Sequence, residues 1–98
     1  MAPPLLLWAF ASEIRTLAAL RTAQDEGRPL AAALRAERVF DDRRAAALQR
    51  ALPRLRQPQL RAALLAAARI DRMIKGLVQG DIWDEFLQLA LRLARKPT

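Results

Sequence analysis

Histidine, cysteine, tyrosine and asparagine are all absent from this sequence of 98 residues. Without histidine it lacks the usual general base and the commonest zinc ligand. Without cysteine it can form neither a disulfide framework nor a thiolate metal site, which suits a reducing cytoplasm. The only serine is Ser12, set inside a helical pattern, so no nucleophilic triad can be assembled. The three glycines, Gly27, Gly76 and Gly80, each fall where a helix should end, and none precedes a Lys-Ser or Lys-Thr pair. A phosphate cradle of the P-loop kind is therefore excluded. Aromatic residues make up 5% and β-branched residues are scarce, which argues against a sheet. The longest apolar run, Leu5 to Ala11, is far short of the roughly 20 residues that span a bilayer. It also lacks the basic flank of a signal peptide.

What is present is alanine, leucine and arginine, at 21, 18 and 15 residues. All three are strong helix formers. With 53% hydrophobic residues the chain can bury one modest core. The expected fold is all-α: a compact bundle of about five helices in a single domain over residues 1–98. Net charge is +7, which suits an acidic partner or, equally, a solvated arginine-rich surface.

Proline and glycine punctuate the chain. Pro3 and Pro4 open helix one, which carries Leu7, Phe10, Ile14 and Leu17 on one face and ends at Gly27. Pro29 opens a short helix from Leu30 to about Ala36, with Leu30 and Leu34 turned inward. After Arg38-Val39, Phe40 is expected to insert into the core. Asp41 or Asp42 caps helix three, whose inner stripe is Leu48 and Leu52, and Pro53 stops it. Pro58 opens helix four, with Leu60, Leu64, Ala67, Ile70, Ile74 and Leu77 on one face. Its alanines leave it thin enough for close approach of another backbone. Asp81 caps helix five, with Asp84 in the first turn and Ile82, Phe86, Leu89 and Leu93 facing inward. Arg92, Arg95 and Lys96 suit the negative end of that helix.

Few residues could carry chemistry. The acidic pairs Asp25-Glu26, Asp41-Asp42 and Asp84-Glu85 point in diverging directions and lie near helix ends, where capping is the ordinary role. No catalytic, cofactor-binding or metal-binding residues are expected. Arg61, Arg69, Arg72 and Lys75 form the polar side of helix four and could contact a nucleic-acid backbone. Asp71 precedes Lys75 by four, the favourable order for a helical ion pair. Trp8 and Trp83 read first as core or staple residues and second as interface anchors.

The stretch from Ile70 to Trp83 resembles the C-terminal signature of the delta subunit family of bacterial DNA polymerase III. That family shows Asp-Arg-x-Ile-Lys-Gly-Leu, two variable residues, then Gly-Asp-x-Trp. The matching positions here are Asp71, Arg72, Ile74, Lys75, Gly76, Leu77, Gly80, Asp81 and Trp83. Leu7-Trp8-Ala9 with Glu13-Ile14-Arg15-Thr16-Leu17 is similar to the family's first collar helix, and Arg38-Val39-Phe40 to its Arg-Val-Trp. The resemblance covers nearly the whole chain.

It implies a helical collar domain cut from a longer delta subunit, whose N-terminal module opens the sliding clamp. Five collars, one per subunit, form the ring that holds the clamp loader together during DNA replication. The implied partners are the gamma/tau and delta-prime collars, with no small-molecule substrate, no membrane and no ATP. Asp71, Arg72, Lys75, Gly76, Gly80, Asp81 and Trp83 become the structural or interface signature. Val78 stands where some relatives carry an aromatic that touches template DNA, and valine cannot stack on a base as a ring does. Ile82 replaces a common proline, and both suit the first helical position. The alternative is a free-standing basic helical nucleic-acid-binding protein. An unpartnered collar is expected to expose apolar surface.

Overall fold

In the computed structural model, which describes residues 2–94, the chain forms five α-helices and one 3-10 turn, with no strand among the described residues. The helices are α1 (Pro3–Asp25), α2 (Leu30–Ala36), α3 (Asp42–Ala51), α4 (Gln57–Ile74) and α5 (Ile82–Ala94). The turn, Leu52–Arg54, joins α3 to α4. The all-α bundle expected from composition and periodicity is the observed fold. Arg95 and Lys96, expected to complement the end of α5, lie outside the described residues.

α1 and α4 make the most extensive contact in the molecule. They run antiparallel. Gln57, at the start of α4, donates through Nε2 to Thr22 Oγ1 near the end of α1 at 2.8 Å. Leu64 and Asp71, later in α4, share a groove with Leu7 and Trp8 near the start of α1. Between them Ile14, Leu17 and Leu20 of α1 are buried with Leu60, Ala63, Ala67 and Ile70 of α4. Ala63 and Ala67 supply the small surface that close helix packing needs. Each fully buried leucine or isoleucine contributes about 1.5–3 kcal/mol by leaving water. Leu52 and Leu55 close one end of this core, and Phe86 and Leu89 of α5 close the other side. Phe10 stacks on Phe86 at 5.9 Å between ring centroids, which ties α5 to α1. An ion pair between Arg44 and Glu13 tethers α3 to α1.

Three helices end in the same way. After α1, Gly27 takes φ of 72°, Arg28 N–H donates to the Ala23 carbonyl and Gly27 N–H to the Gln24 carbonyl. After α4, Gly76 takes φ of 78°, Leu77 N–H donates to Arg72 and Gly76 N–H to Met73. These are Schellman motifs, which satisfy carbonyls otherwise left without partners. After α2 the left-handed residue is Arg38, at φ of 58°, with Val39 N–H donating to Leu34 and Arg38 N–H to Arg35.

That third motif corrects one expectation. The left-handed turn at Arg38 swings Val39 inward against the core, and Phe40 is 74% exposed rather than inserted. Leu77 is corrected for the same reason: α4 ends at Ile74, Gly76 breaks the helical period, and Leu77 is 72% exposed. α3 ends at Ala51 as Pro53 requires, but the chain continues as a 3-10 turn that tolerates the missing donor. α4 starts at Gln57 with Pro58 in its first turn, and the Gln59 side chain accepts from Arg56 N–H at 2.8 Å.

Two substitutions probe this packing by urea unfolding. Leu20→Ala, at a fully buried position, is expected to cost about 2–5 kcal/mol. Arg38→Gly is expected to raise stability by about 0.5–1 kcal/mol, because relief of the left-handed strain exceeds the entropic cost of glycine. A destabilised Arg38→Gly would show that the arginine side chain itself anchors the turn.

Candidate functional site

The signature residues cluster at the corner between α4 and α5. Lys75 Nζ pairs with Asp71 Oδ2 at 2.8 Å, the helical ion pair the spacing predicted. The Arg72 carbonyl accepts the Schellman bond from Leu77, and Gly76 supplies the left-handed residue. A Cβ on Gly80 would sit 2.6 Å from Met73 Cε, so glycine lets the chain cross over the buried Met73. Asp81 then caps α5: its Oδ1 accepts from Trp83 N–H at 3.0 Å and from Asp84 N–H at 3.2 Å. Asp84 and Glu85 place negative charge in the first turn, where the helix dipole favours it. The signature therefore builds a tight corner, and the one large apolar side chain it sends outward from α5 is Trp83.

Trp83 is 56% exposed, its ring touching Phe86 at 5.8 Å between centroids. The reading of Trp83 as a core residue is thus corrected, and so is that of Trp8, which is 65% exposed. Both rings sit on helix faces that no other described element of this chain covers. Trp83 continues into Leu87 and Leu91, each at least half exposed and each one helical turn further along α5. Because Leu89 is buried and Glu85 reaches Arg69 of α4 at 3.5 Å, this ridge lies on the side of α5 turned away from α4. Trp8 rims the groove of about 460 Å³ between α1 and α4, floored by Leu7, Ala11, Leu64, Ala67 and Ala68. The expected exposed apolar surface is present at these two places, and Phe40, Leu65 and Leu77 are exposed outside them.

The basic residues of α4 separate into two pairs. Arg69 and Lys75 are held in ion pairs with Glu85 and Asp71, whereas Arg61 and Arg72 are exposed and have no carboxylate within reach among the described residues. The densest positive charge lies elsewhere. Residues 28–56 carry eight arginines against three carboxylates. Of these, Arg35, Arg38, Arg43, Arg50 and Arg56 are exposed, and so is Phe40 in the same segment. The residue counts alone would have shown this imbalance had the charge been summed by segment. Among the described residues no three potential metal ligands gather in one place, and no helix is long and apolar enough to cross a membrane.

Over its whole length, residues 1–98, the chain matches a family model described as the processivity clamp loader gamma complex, DNA polymerase III C-terminal domain. No curated protein and no solved structure matches it.

The division between architecture and exposed surface is testable by thermal unfolding. Asp81→Ala removes the cap of α5 and is expected to cost about 0.5–2 kcal/mol. Trp83→Ala, at a half-exposed position, is expected to cost less than Asp81→Ala. The reverse order would make Trp83 a packing residue.

Proposed function

Because the chain belongs to the family of DNA polymerase III clamp-loader C-terminal domains, we propose that it is the collar of a delta subunit. On this reading it is a piece of a longer cytoplasmic protein. Its work is to pack against the gamma/tau and delta-prime collars so that the loader can place the sliding clamp on primed DNA. It acts as a non-catalytic assembly domain. The observation that carries the reading is the ridge Trp83–Leu87–Leu91, an uncovered apolar face raised directly from the family signature corner. Tryptophan and leucine in a row at one-turn spacing are what a neighbouring helix can cover, and buried tryptophan dominates many interfaces. Delta identity is supported by Asp71, Arg72, Ile74, Lys75, Gly76, Leu77, Gly80, Asp81 and Trp83 in their family order.

A second reading, direct contact with nucleic acid, is favoured by the charge of residues 28–56. It moves the candidate phosphate contacts from Arg61, Arg69, Arg72 and Lys75 to the α2–α3 side. Five exposed arginines and the exposed Phe40 ring fall within residues 35–56, and these residue types suit phosphates and an unstacked base.

Size-exclusion chromatography with light scattering, using the collar of the matching gamma subunit, tests the first reading. A stable complex is expected, weakened at least tenfold by Trp83→Ala, which corresponds to about 1.4 kcal/mol. Absence of any complex with either the gamma or delta-prime collar would refute it. For the second reading, affinity for single-stranded DNA should fall with salt. Replacing Arg43 and Arg50 by alanine should flatten the log–log slope by roughly 1.4, at about 0.7 for each phosphate no longer neutralised. An unchanged slope would leave these arginines as a solvated surface.

A further inference from the structure

The net charge of this chain sits in one stretch. Residues 43–70 carry seven arginines, no lysine and no carboxylate, while the rest of the chain holds ten basic and ten acidic side chains and is neutral. Two of the seven are engaged inside the fold, Arg44 with Glu13 and Arg69 with Glu85. Arg50, Arg54, Arg56 and Arg61 follow one another across the end of α3, the 3-10 turn and the start of α4. None of these four pairs with a carboxylate among the described residues. Arg50, Arg56 and Arg61 are exposed, and the partly buried Arg54 has no hydrogen-bond partner at Nε. Arg50 and Arg54 are four apart, and Leu52 between them keeps helical dihedrals, so the two share one side.

The turn is fixed against α1, where Arg21 Nη1 donates to the Leu52 carbonyl at 3.4 Å and Gln57 Nε2 to Thr22 Oγ1 at 2.8 Å. This brings the acidic end of α1 to the same end of the bundle, but Asp25 is paired with Arg21 and Glu26 with Arg28. Glu37 shares the groove between α1 and α2 with Arg28. The unpaired Asp42 lies eight residues before Arg50, about 12 Å away along α3. The four arginines therefore meet no free carboxylate on the elements that carry them within that distance.

Their surroundings identify the partner. Leu52, Leu55 and Leu60 are at most 1% exposed, so the surface of residues 50–61 is arginine, glutamine, proline and Ala51. Leu65, one turn beyond Arg61, is the one large apolar side chain exposed on α4. A protein partner needs an apolar core in the contact, which this surface does not supply. An unpaired base needs an aromatic face, and residues 43–70 contain no aromatic residue. A duplex backbone needs neither, and it offers one negative charge per roughly 1.7 Å against roughly 3.4 Å for one strand. We propose that Arg50, Arg54, Arg56 and Arg61 bind the phosphate backbone of double-stranded nucleic acid without regard to sequence. This rests on the nucleic-acid reading above and narrows it: the duplex is the ligand, and Phe40 takes no part.

Fluorescence anisotropy of this chain with a labelled DNA duplex of about 20 base pairs, at about 50 and about 200 mM salt, tests the inference. The duplex should bind more tightly than a single strand of the same length, and a duplex of unrelated sequence should bind equally well. With four phosphates neutralised, affinity should fall about a hundredfold between the two salt concentrations. With Arg56→Gln and Arg61→Gln combined, the fall should be only about tenfold. Both residues are exposed, so circular dichroism should show the native helix content. Arg72→Gln with Arg92→Gln removes the same charge elsewhere and should keep the hundredfold fall. A control that flattens as far as the patch variant would overturn the inference. Tighter binding to the single strand, lost in Phe40→Ala, would overturn it and leave the broader nucleic-acid reading standing. Binding to neither form would overturn both. Poly-aspartate that displaces the duplex at equal charge concentration would give the site to an acidic protein segment and overturn the inference as well.

Discussion

Everything else in this molecule is arranged around the close antiparallel packing of α1 on α4. Helices approach to about 8–10 Å only when the residues between them are small or interdigitate well. Here Ala63 and Ala67 lie buried between Leu60 and Ile70, and the α1 face opposite presents Ile14, Leu17 and Leu20. The pairing fixes where both ends of α4 must go. Its start is pinned by Gln57 against Thr22. Its end must turn within a few residues to bring α5 back over Phe10 and close the core. The tight corner of Gly76, Gly80 and Asp81 follows from that demand. The same small side chains that allow the approach also leave a groove along the outer edge, where Ala11 and Ala68 fill too little space to close it.

Much of this could be read from the residues. An α-helix exposes its period directly, and every helix was recoverable from apolar spacing and from the proline or glycine at its ends. The α1 and α4 ends were legible because glycine signals a left-handed residue. The same turn after α2 was not, because arginine at that position carries no such signal. One unseen turn was enough to exchange Val39 and Phe40 between core and solvent. Leu77 was misplaced because the apolar period continues in the sequence past the point where Gly76 ends the helix. Trp8 and Trp83 show a different gap. Periodicity tells which residues share a face but not whether any element of the chain covers it.

The signature itself divides by physical role. Lys75 with Asp71, Gly76, Gly80 and Asp81 are explained by the geometry of the corner, through an ion pair, a left-handed residue, a steric gap over Met73 and a helix cap. A motif of this kind identifies a family because the corner is hard to build in another way, not because each member touches a partner. Trp83, like Leu77 and the side chain of Arg72, is a member for which the corner gives no reason. A half-exposed indole costs solubility and is not needed to cap or turn the chain.

The dimensions point the same way. The radius of gyration is 14.2 Å and the extents are 43 × 29 × 19 Å. A compact domain of this length should have a radius of gyration of about 12.6 Å. The excess means a thin, elongated body with much surface for its core, the least favourable shape for a small domain that must be stable alone. The groove and the ridge are two of the places where burial remains incomplete; Phe40, Leu65 and Leu77 are others. Covering such surface with a neighbour would add apolar contact without changing any helix. A net charge of +7 opposes contact between copies only by weak, screened repulsion.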